Sequence, residues 1–521
     1  MPVAPRRIYR LVRRMTHRPS FAQVLLILGL FGMVSCSMPD QALRCVGCAL
    51  LDRKALPPPE AGRNDVSRLH SGVEPARVLK VSSNPDKAES ELRELLAAAR
   101  ARGTHVSIAG ARHSMGGQTL GAKGAWTVDM LGLNHIGEVF QRRHDPRRRW
   151  MTVGAGARWL EIVPKLRAQG YAPKVMQSNS DFTVGGSLSV NCHGWQHNSE
   201  PIASTVDSIR LMTADGVVRT CSRSENAELF SLALGGYGLF GVILEATLEV
   251  VPDEYYQARQ KLVPPAQYVA TFEEMTSGQA TGMAYGRIST APSSFLRESM
   301  VTVLHPVPAP SNRHHNGVFD ALLTKAKRTV FRNAVGNDRG KDFRWVMEKK
   351  HGETGGQVLR RSDILSEPAA LFGNHDPRFT ELLHEYFIPK DKLAAFLEKM
   401  RVIHADMACP DLLNITVRNV KPDRSTFLRY AREEVFGLVM LFHQRRGSSA
   451  DEERMIRYTQ RLVDAALACG GTYYLPYRLH ARRDQFARAY PMSDRFFALK
   501  RRYDPHGLFQ NHFFQNYGPR G

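Results

Sequence analysis

Three glycine clusters between residues 110 and 241 set the strongest limit on what this chain can fold into. The first lies in Ala109–Gln118, with Gly110, Gly116 and Gly117. The second lies in Thr183–Gly194, with Gly185, Gly186 and Gly194. The third runs through Gly235, Gly236, Gly238 and Gly241 into Val242 and Ile243. Each is expected to follow a strand. Glycine adopts positive φ without penalty and lets main-chain N–H groups approach a ligand closely. Successive N–H groups in such a turn form an anion-binding nest. No G-x-x-x-x-G-K-[ST] stretch is present, which argues against a P-loop nucleotidase. Gly154 and Gly156 give only a fragment of the dinucleotide fingerprint, because Trp159 stands where its third glycine belongs. The clusters therefore predict a diphosphate-bearing cofactor held by main chain in a non-Rossmann cradle.

The spacing around the clusters predicts alternating elements. Val78–Val81 reads as a strand. Asn84 and Pro85 open a helix in which Leu92, Leu95, Leu96 and Ala99 recur on one face, and Gly103 closes it. Val106–Ala109 is the next strand and runs into the first cluster. A helix and strand follow over Trp159–Val175. Val206–Thr213 and Val217–Cys221 form a hairpin about Asp215-Gly216. Alternation then continues to Val251, and Pro252 closes it. Residues 254–465 carry fewer glycines, with candidate strands at Asn414–Val420 and Val435–His443. The expectation is an α+β chain divided at 76–253, 254–465 and 466–521.

The 71 Lys+Arg against 50 Asp+Glu give a net charge of +21, while 43% hydrophobic content excludes wholesale disorder and a polytopic membrane protein. Such a charge suits nucleic acid, an anionic membrane or an acidic ligand. Arg147–Arg149 and Lys325–Arg332 lack an RNA-binding motif and interleaved aromatic platforms, so no nucleic-acid partner is expected. The basic amphipathic stretch 319–332 has the makings of a face for anionic lipid. Arg6, Arg7, Arg10, Arg13, Arg14 and Arg18 precede an apolar run, Val24–Val34, and residues 1–35 hold no acids. That run is shorter than the roughly 20 residues of a membrane span and fits an export signal. The paired arginines lack the full motif of twin-arginine export. Met33-Val34-Ser35-Cys36 is similar to a bacterial lipobox, and two outcomes stay open: a lipidated Cys36 or an uncleaved anchor. Either implies a periplasmic protein tethered to the membrane, with residues 36–75 as a linker. Seven cysteines are too few for a disulfide scaffold. Cys45 and Cys48 read as a tether or a local disulfide, and Cys192, Cys221, Cys409 and Cys469 as buried side chains.

The loop Ala109–Ser114, the segment Val184–Ser189 and the run Thr220–Ile243 resemble the PCMH-type FAD-binding domain of the vanillyl-alcohol oxidase family. The third run is similar to cytokinin dehydrogenases. His193-Gly194 and Tyr503–Asn511 are similar to aldonolactone and alditol oxidases. Glu385 with Tyr386–Pro389, and Tyr490-Pro491, are similar to decaprenylphosphoryl-ribose oxidase and its sterol-reductase relatives. The resemblance implies two lobes: an FAD domain at 76–253 and a substrate (cap) domain with an antiparallel sheet, residues 466–521 returning to the first. It implies FAD contacts at Ala109, Gly110, Ala111, Arg112, His113, Ser114, Gly117 and Gln118. It adds Gly185, Gly186, Ser187, Ser189, His193 and Gly194, then Gly241, Val242, Ile243 and Asn511. His113 takes the place of the histidine that family members bond to the flavin 8α carbon. Gln177–Thr183 holds no cysteine for a second link. His193 and His197 have metal-ligand spacing but sit in an expected loop without a third ligand, so no metal is expected.

The activity implied is oxidation of an alcohol-type C–H in a sugar, lactone or other hydroxylated small molecule. Oxygen, a quinone or a cytochrome would then take the electrons. Such chemistry needs a proton acceptor and a cation near flavin N1. Arg418, His443, Tyr477 and His480 are the candidates. Arg418 aligns with the arginine of the Glu-x-Arg of alditol oxidases, with Thr416 in place of the glutamate. Tyr477 stands where the family often has a lysine. A tyrosine holds no fixed charge at neutral pH, so Arg478 or His480 would compensate. The alternative is an FAD-dependent reductase of an isoprenoid or sterol-like lipid.

Overall fold

The computed structural model describes residues 55–70, 74–143, 145–310, 326–353, 358–367 and 373–520. The export signal, Cys36 and the Cys45 and Cys48 pair lie outside them. Two sheets build the first lobe. Strands β1 (Arg77–Lys80), β2 (Val106–Ala109) and β3 (Trp126–Asp129) are parallel, in the order β1-β3-β2. The helix Pro85–Ala101 connects the first two. Asn84 caps it by accepting from the Lys87 N–H, and Ala88, Leu92, Leu95, Leu96 and Ala99 are buried. The second sheet comprises β4 (Ile136–Arg142), β5 (Asp145–Gly154), β6 (Tyr171–Pro173), β7 (Val206–Met212), β8 (Val218–Ser222) and β9 (Val242–Pro252). Its order is β4-β5-β9-β7-β8, with β6 paired to β9.

Two glycine clusters differ from expectation. The second forms a short helix, Val184–Ser189, because Thr183 Oγ1 caps Gly186 N at 3.2 Å and Trp159 Nε1 donates to Ser187 Oγ at 2.9 Å. The third follows the helix Ala227–Ala233 rather than a strand. Leu229, Phe230, Leu232 and Ala233 are the buried residues of that helix.

The second lobe is one sheet of eight strands: β10 (Tyr255–Val263), β11 (Met283–Ile288), β12 (Ser299–Val307), β13 (Val358–Arg360), β14 (Phe379–Pro389), β15 (Asp411–Val420), β16 (Val435–Arg445) and β17 (Thr472–Tyr473). Its order is β13-β10-β12-β11-β15-β16-β14-β17. Side chains alternate across a strand. Tyr285 and Arg287, then Asn414, Thr416 and Arg418, then Val439 and Leu441, then Glu381, Leu383 and Glu385 share one face, which meets the first lobe. The helices Leu393–Asp406 and Ser449–Ala468 pack against strands of this sheet through Phe396, Met400, Tyr458 and Leu462, all fully buried or nearly so. The chain then returns to the first lobe. Val106 N donates to Leu508 O at 2.7 Å, and Gln510 N to Val106 O at 3.1 Å.

The end of the stretch read as a linker is packed instead. Asp65 and Ser67 have no exposed surface. Asp65 Oδ2 accepts from Gly117 N at 2.9 Å, and Val66 N donates to Arg112 O at 2.9 Å. Residues 326–332 of the basic amphipathic stretch are helical. Ala326 and Val330 are buried beside Phe343, Arg328 donates to Gly373 O, and Arg332 pairs with Glu381, so this part packs inward rather than offering a lipid face. Residues 319–325 lie outside the described residues. Cys192, Cys221 and Cys469 are buried, but Cys409 is half-exposed just past the end of its helix.

Candidate active site

A cavity of about 1010 Å³ runs between the lobes. Its first-lobe wall comprises Gly110, Ala111, Arg112, His113, Ser114 and Gln118 from one loop. Gly185, Gly186, Ser189, Gly241 and Ile243 come from the others. Only glycine fits at 110, since an added Cβ would lie 2.2 Å from Thr183 Oγ1. Arg112 sits at φ +62° and is held by Asp129 at 3.2 Å. The His113 ring stacks on Phe182, with centroids 4.3 Å apart. Burial pushes its imidazole down to about 4, against the opposing pull of Asp181, so the ring is neutral at neutral pH. Ser114 Oγ, Thr119 Oγ1 and Arg112 Nε are buried without a protein partner. Buried polar atoms are nearly always paired. Orphans of this kind beside glycine-rich main chain suit the diphosphate and hydroxyl groups of FAD.

Several residues expected to contact the cofactor lie behind this wall. Ala109 is buried at the end of β2. Gly117 faces Asp65 and His512. Ser187 Oγ donates to Gln177 Oε1 at 2.9 Å. Gly194 closes against Met176 O, and Val242 is buried in β9. Asn511 Nδ2 donates to Gln118 O and Tyr237 O, which ties the C-terminal segment to the first loop. These residues set the position of the wall without being part of it.

Four cavity residues form a polar cluster. His193 Nε2 lies 2.7 Å from Glu385 Oε1, and the two side chains are 4% and 1% exposed. Tyr477 OH donates to Glu385 Oε2 at 3.3 Å. Burial pushes the Tyr477 phenol well above its ordinary value, so it stays a neutral donor. Arg418 NH1 donates to His193 O at 3.3 Å and NH2 to Ser178 Oγ at 2.9 Å. The neighbouring strand makes room for the carboxylate at Gly437, where a Cβ would sit 3.0 Å from Glu385 Oε1. Phe387, Tyr430 and Tyr474 enclose the imidazole, with ring centroids 5.3, 5.8 and 5.9 Å away. Neither imidazole nitrogen of His193 makes a hydrogen bond to protein, and Glu385 Oε1 makes none, so the pair is a close buried contact whose polar atoms stay open to a ligand.

The other candidates lie off this cluster. His443 stacks on Phe379 at 4.7 Å, beyond the cavity wall. His480 Nε2 lies 3.1 Å from Glu452, which also holds Arg478. Neither compensates for the expected lysine. Arg418 is the cation beside the cluster. Sequence reasoning missed Glu385 as a site residue. Its signal was a lone carboxylate before the apolar run Tyr386–Pro389 in a strand of alternating pattern.

The cradle, the cavity and the facing antiparallel sheet define an α+β, two-lobed protein of the PCMH FAD-binding class. Comparison with known families agrees. An FAD binding domain profile matches residues 86–222, and a D-arabinono-1,4-lactone oxidase profile matches residues 246–517. The second match covers more than half of the 521 residues, and the chain belongs to that family. It is 34% identical over 162 residues to an uncharacterized oxidoreductase, ORF5 in the fasciation locus of Rhodococcoides fascians, and 33% identical over 162 residues to the L-gulonolactone oxidase of Mus musculus. Each of these alignments covers 31% of this chain and 35% of the relative, so the chain spans about a third of their length. Cytokinin dehydrogenase 10 of Oryza sativa subsp. japonica is 26% identical over 450 residues, covering 77% of this chain and 78% of the relative.

Proposed function

We propose that the protein is an FAD-dependent oxidoreductase that oxidises an alcohol-type C–H of a sugar, lactone or other hydroxylated small molecule. The observation that carries this reading is the buried His193–Glu385 contact, with both imidazole nitrogens free of protein hydrogen bonds, on the same cavity as the glycine cradle. FAD, when bound, accepts the hydride. His193 Nδ1 takes the hydroxyl proton, and Glu385 stabilises the imidazolium that results. Tyr477 holds the carboxylate in place through its O–H. Arg418 brings positive charge to the site, and Leu383, Val439 and Leu441 give it an apolar floor. Replacing His193 by alanine should slow anaerobic flavin reduction by about 10²–10⁴-fold at unchanged flavin content. An undiminished rate would refute the assignment.

The same reading places a covalent flavin link at His113, whose neutral, buried ring has a free lone pair. The flavin should then stay with the acid-precipitated protein and be released from His113→Ala. Peroxide release would distinguish oxygen from a quinone or cytochrome as acceptor. Export and membrane tethering through the N-terminal segment or Cys36 are part of the proposal on sequence grounds. Loss of membrane association in Cys36→Ala would support the lipidated form.

A further inference from the structure

The sheet floor carries a second guanidinium whose role the chemistry above leaves open. Arg287 lines the cavity from β11, and its NH1 donates to Thr416 Oγ1 at 2.7 Å. Among the described residues no carboxylate lies within ion-pair distance of Arg287 or of Arg418. By contrast, Arg344 in the same chamber is held by Glu348 at 2.7 Å. Two acids face Arg287 at longer range. Glu348 is committed to Arg344, and burial pushes the Glu367 carboxyl up despite the nearby Arg287 and Lys327. Arg287 is thus half-buried on the cavity wall with no carboxylate committed to it among the described residues, and such a guanidinium is open to an anionic group of a ligand.

The register fixes where such an anion would lie. Arg287 pairs with Thr416, Thr416 with Val439, and Val439 with Glu385, across four adjacent strands. Thr416 is thus two strand spacings, about 10 Å, from Glu385. The Arg287 guanidinium already reaches across to Thr416, and apolar Val439 lies between it and the His193–Glu385 pair.

We propose that the substrate carries an acidic group, a carboxylate or a phosphate, and that Arg287 binds it beside Thr416. This rests on the oxidoreductase reading and narrows its substrate class to hydroxylated acids. Arginine suits this task because its planar fork matches either oxyanion.

The test uses the holoenzyme and probes matched in carbon skeleton: D-galactonate against D-galactono-1,4-lactone, and sorbitol 6-phosphate against sorbitol. Anaerobic flavin reduction should favour the charged member of at least one pair by about tenfold or more in kcat/KM, from the strength of charge-assisted hydrogen bonds. Which pair responds separates carboxylate from phosphate. Arg287→Met should collapse that ratio toward one, mainly through KM, and Arg287→Lys should restore part of it. A preference for the neutral members, or an Arg287→Met variant that keeps the wild-type ratio, would overturn the inference and leave the oxidoreductase reading standing. If no probe reduces the flavin, both readings fail.

Discussion

In the proposed mechanism the proton acceptor depends on one carboxylate. Glu385 lies 2.7 Å from His193 Nε2 and accepts from Tyr477, so its charge faces the imidazole at close range. Glu385→Gln keeps the shape but removes the charge that stabilises an imidazolium. We expect a fall in kcat of about 10²-fold or more with a smaller change in KM. Rapid-mixing kinetics of flavin reduction would measure it, and an equal fall in Tyr477→Phe alone would move the role from the carboxylate to the phenol. Arg418 and Tyr477 were legible through the family resemblance, whereas His193 was legible only as a cofactor contact and its place against Glu385 was not. Glu385 was not, because it is one of two acids in a mostly buried strand, and nothing in the pattern separates it from Glu381 until its partner from the other lobe is known. His443 shares the side-chain parity of Val439 and Leu441, so its face was readable. Its distance past the cavity's end, where Phe379 covers it, was not.

At the level of elements, periodicity worked where burial has a single face. The helix Pro85–Ala101 and the strands β2, β15 and β16 follow directly from the spacing of their apolar residues. It failed where partners are main-chain atoms. Two glycines oppose helix formation at 185 and 186, yet the Thr183 cap and the Ser187 contacts hold a turn of helix there. The residues before β1 looked like a linker, yet Asp65 docks on the first glycine loop through Gly117 N and faces His70 at 3.1 Å. Residues 55–59, Val66 and Arg68 line the cavity as well. This segment is a strap over the cofactor loop. Asp65→Ala leaves the buried Gly117 N–H unpaired and should destabilise the first lobe by about 1–3 kcal/mol. Its urea midpoint should fall and its flavin-to-protein ratio should drop on dialysis. A variant with wild-type values for both would show that the strap contributes nothing to either.

The whole molecule encloses several histidines that stay neutral when folded, and this gives its stability a pH dependence of definite sign. Burial, with help from the neighbouring His480 and Arg478, pushes His384 down to about 3. His197, His404, His480 and His512 are also lowered, burial being the main cause in each. In the unfolded chain these rings titrate near 6.5. Between that value and the folded one, the unfolded state binds more protons. The contribution is therefore complete above about 6.5 and is lost as pH falls, at about 1.4 kcal/mol per pH unit for the fully buried His384 and less for the partly exposed rings. The carboxylates held low act in a different window. Burial raises Asp65 and Glu452, but hydrogen bonds from His70 and from His480 and Arg478 outweigh it, so their stabilisation is lost only below the ordinary carboxylate range, near 4. Loss of stability between pH 6.5 and 4.5 thus belongs to the histidines. Urea unfolding across that interval should show a midpoint that falls steadily with pH. His384→Leu, which fills the space beside Phe442 without a titrating group, should reduce the slope by about one proton's worth. A flat profile in the wild type, or an identical slope in the variant, would mean that the buried rings open to water before they titrate.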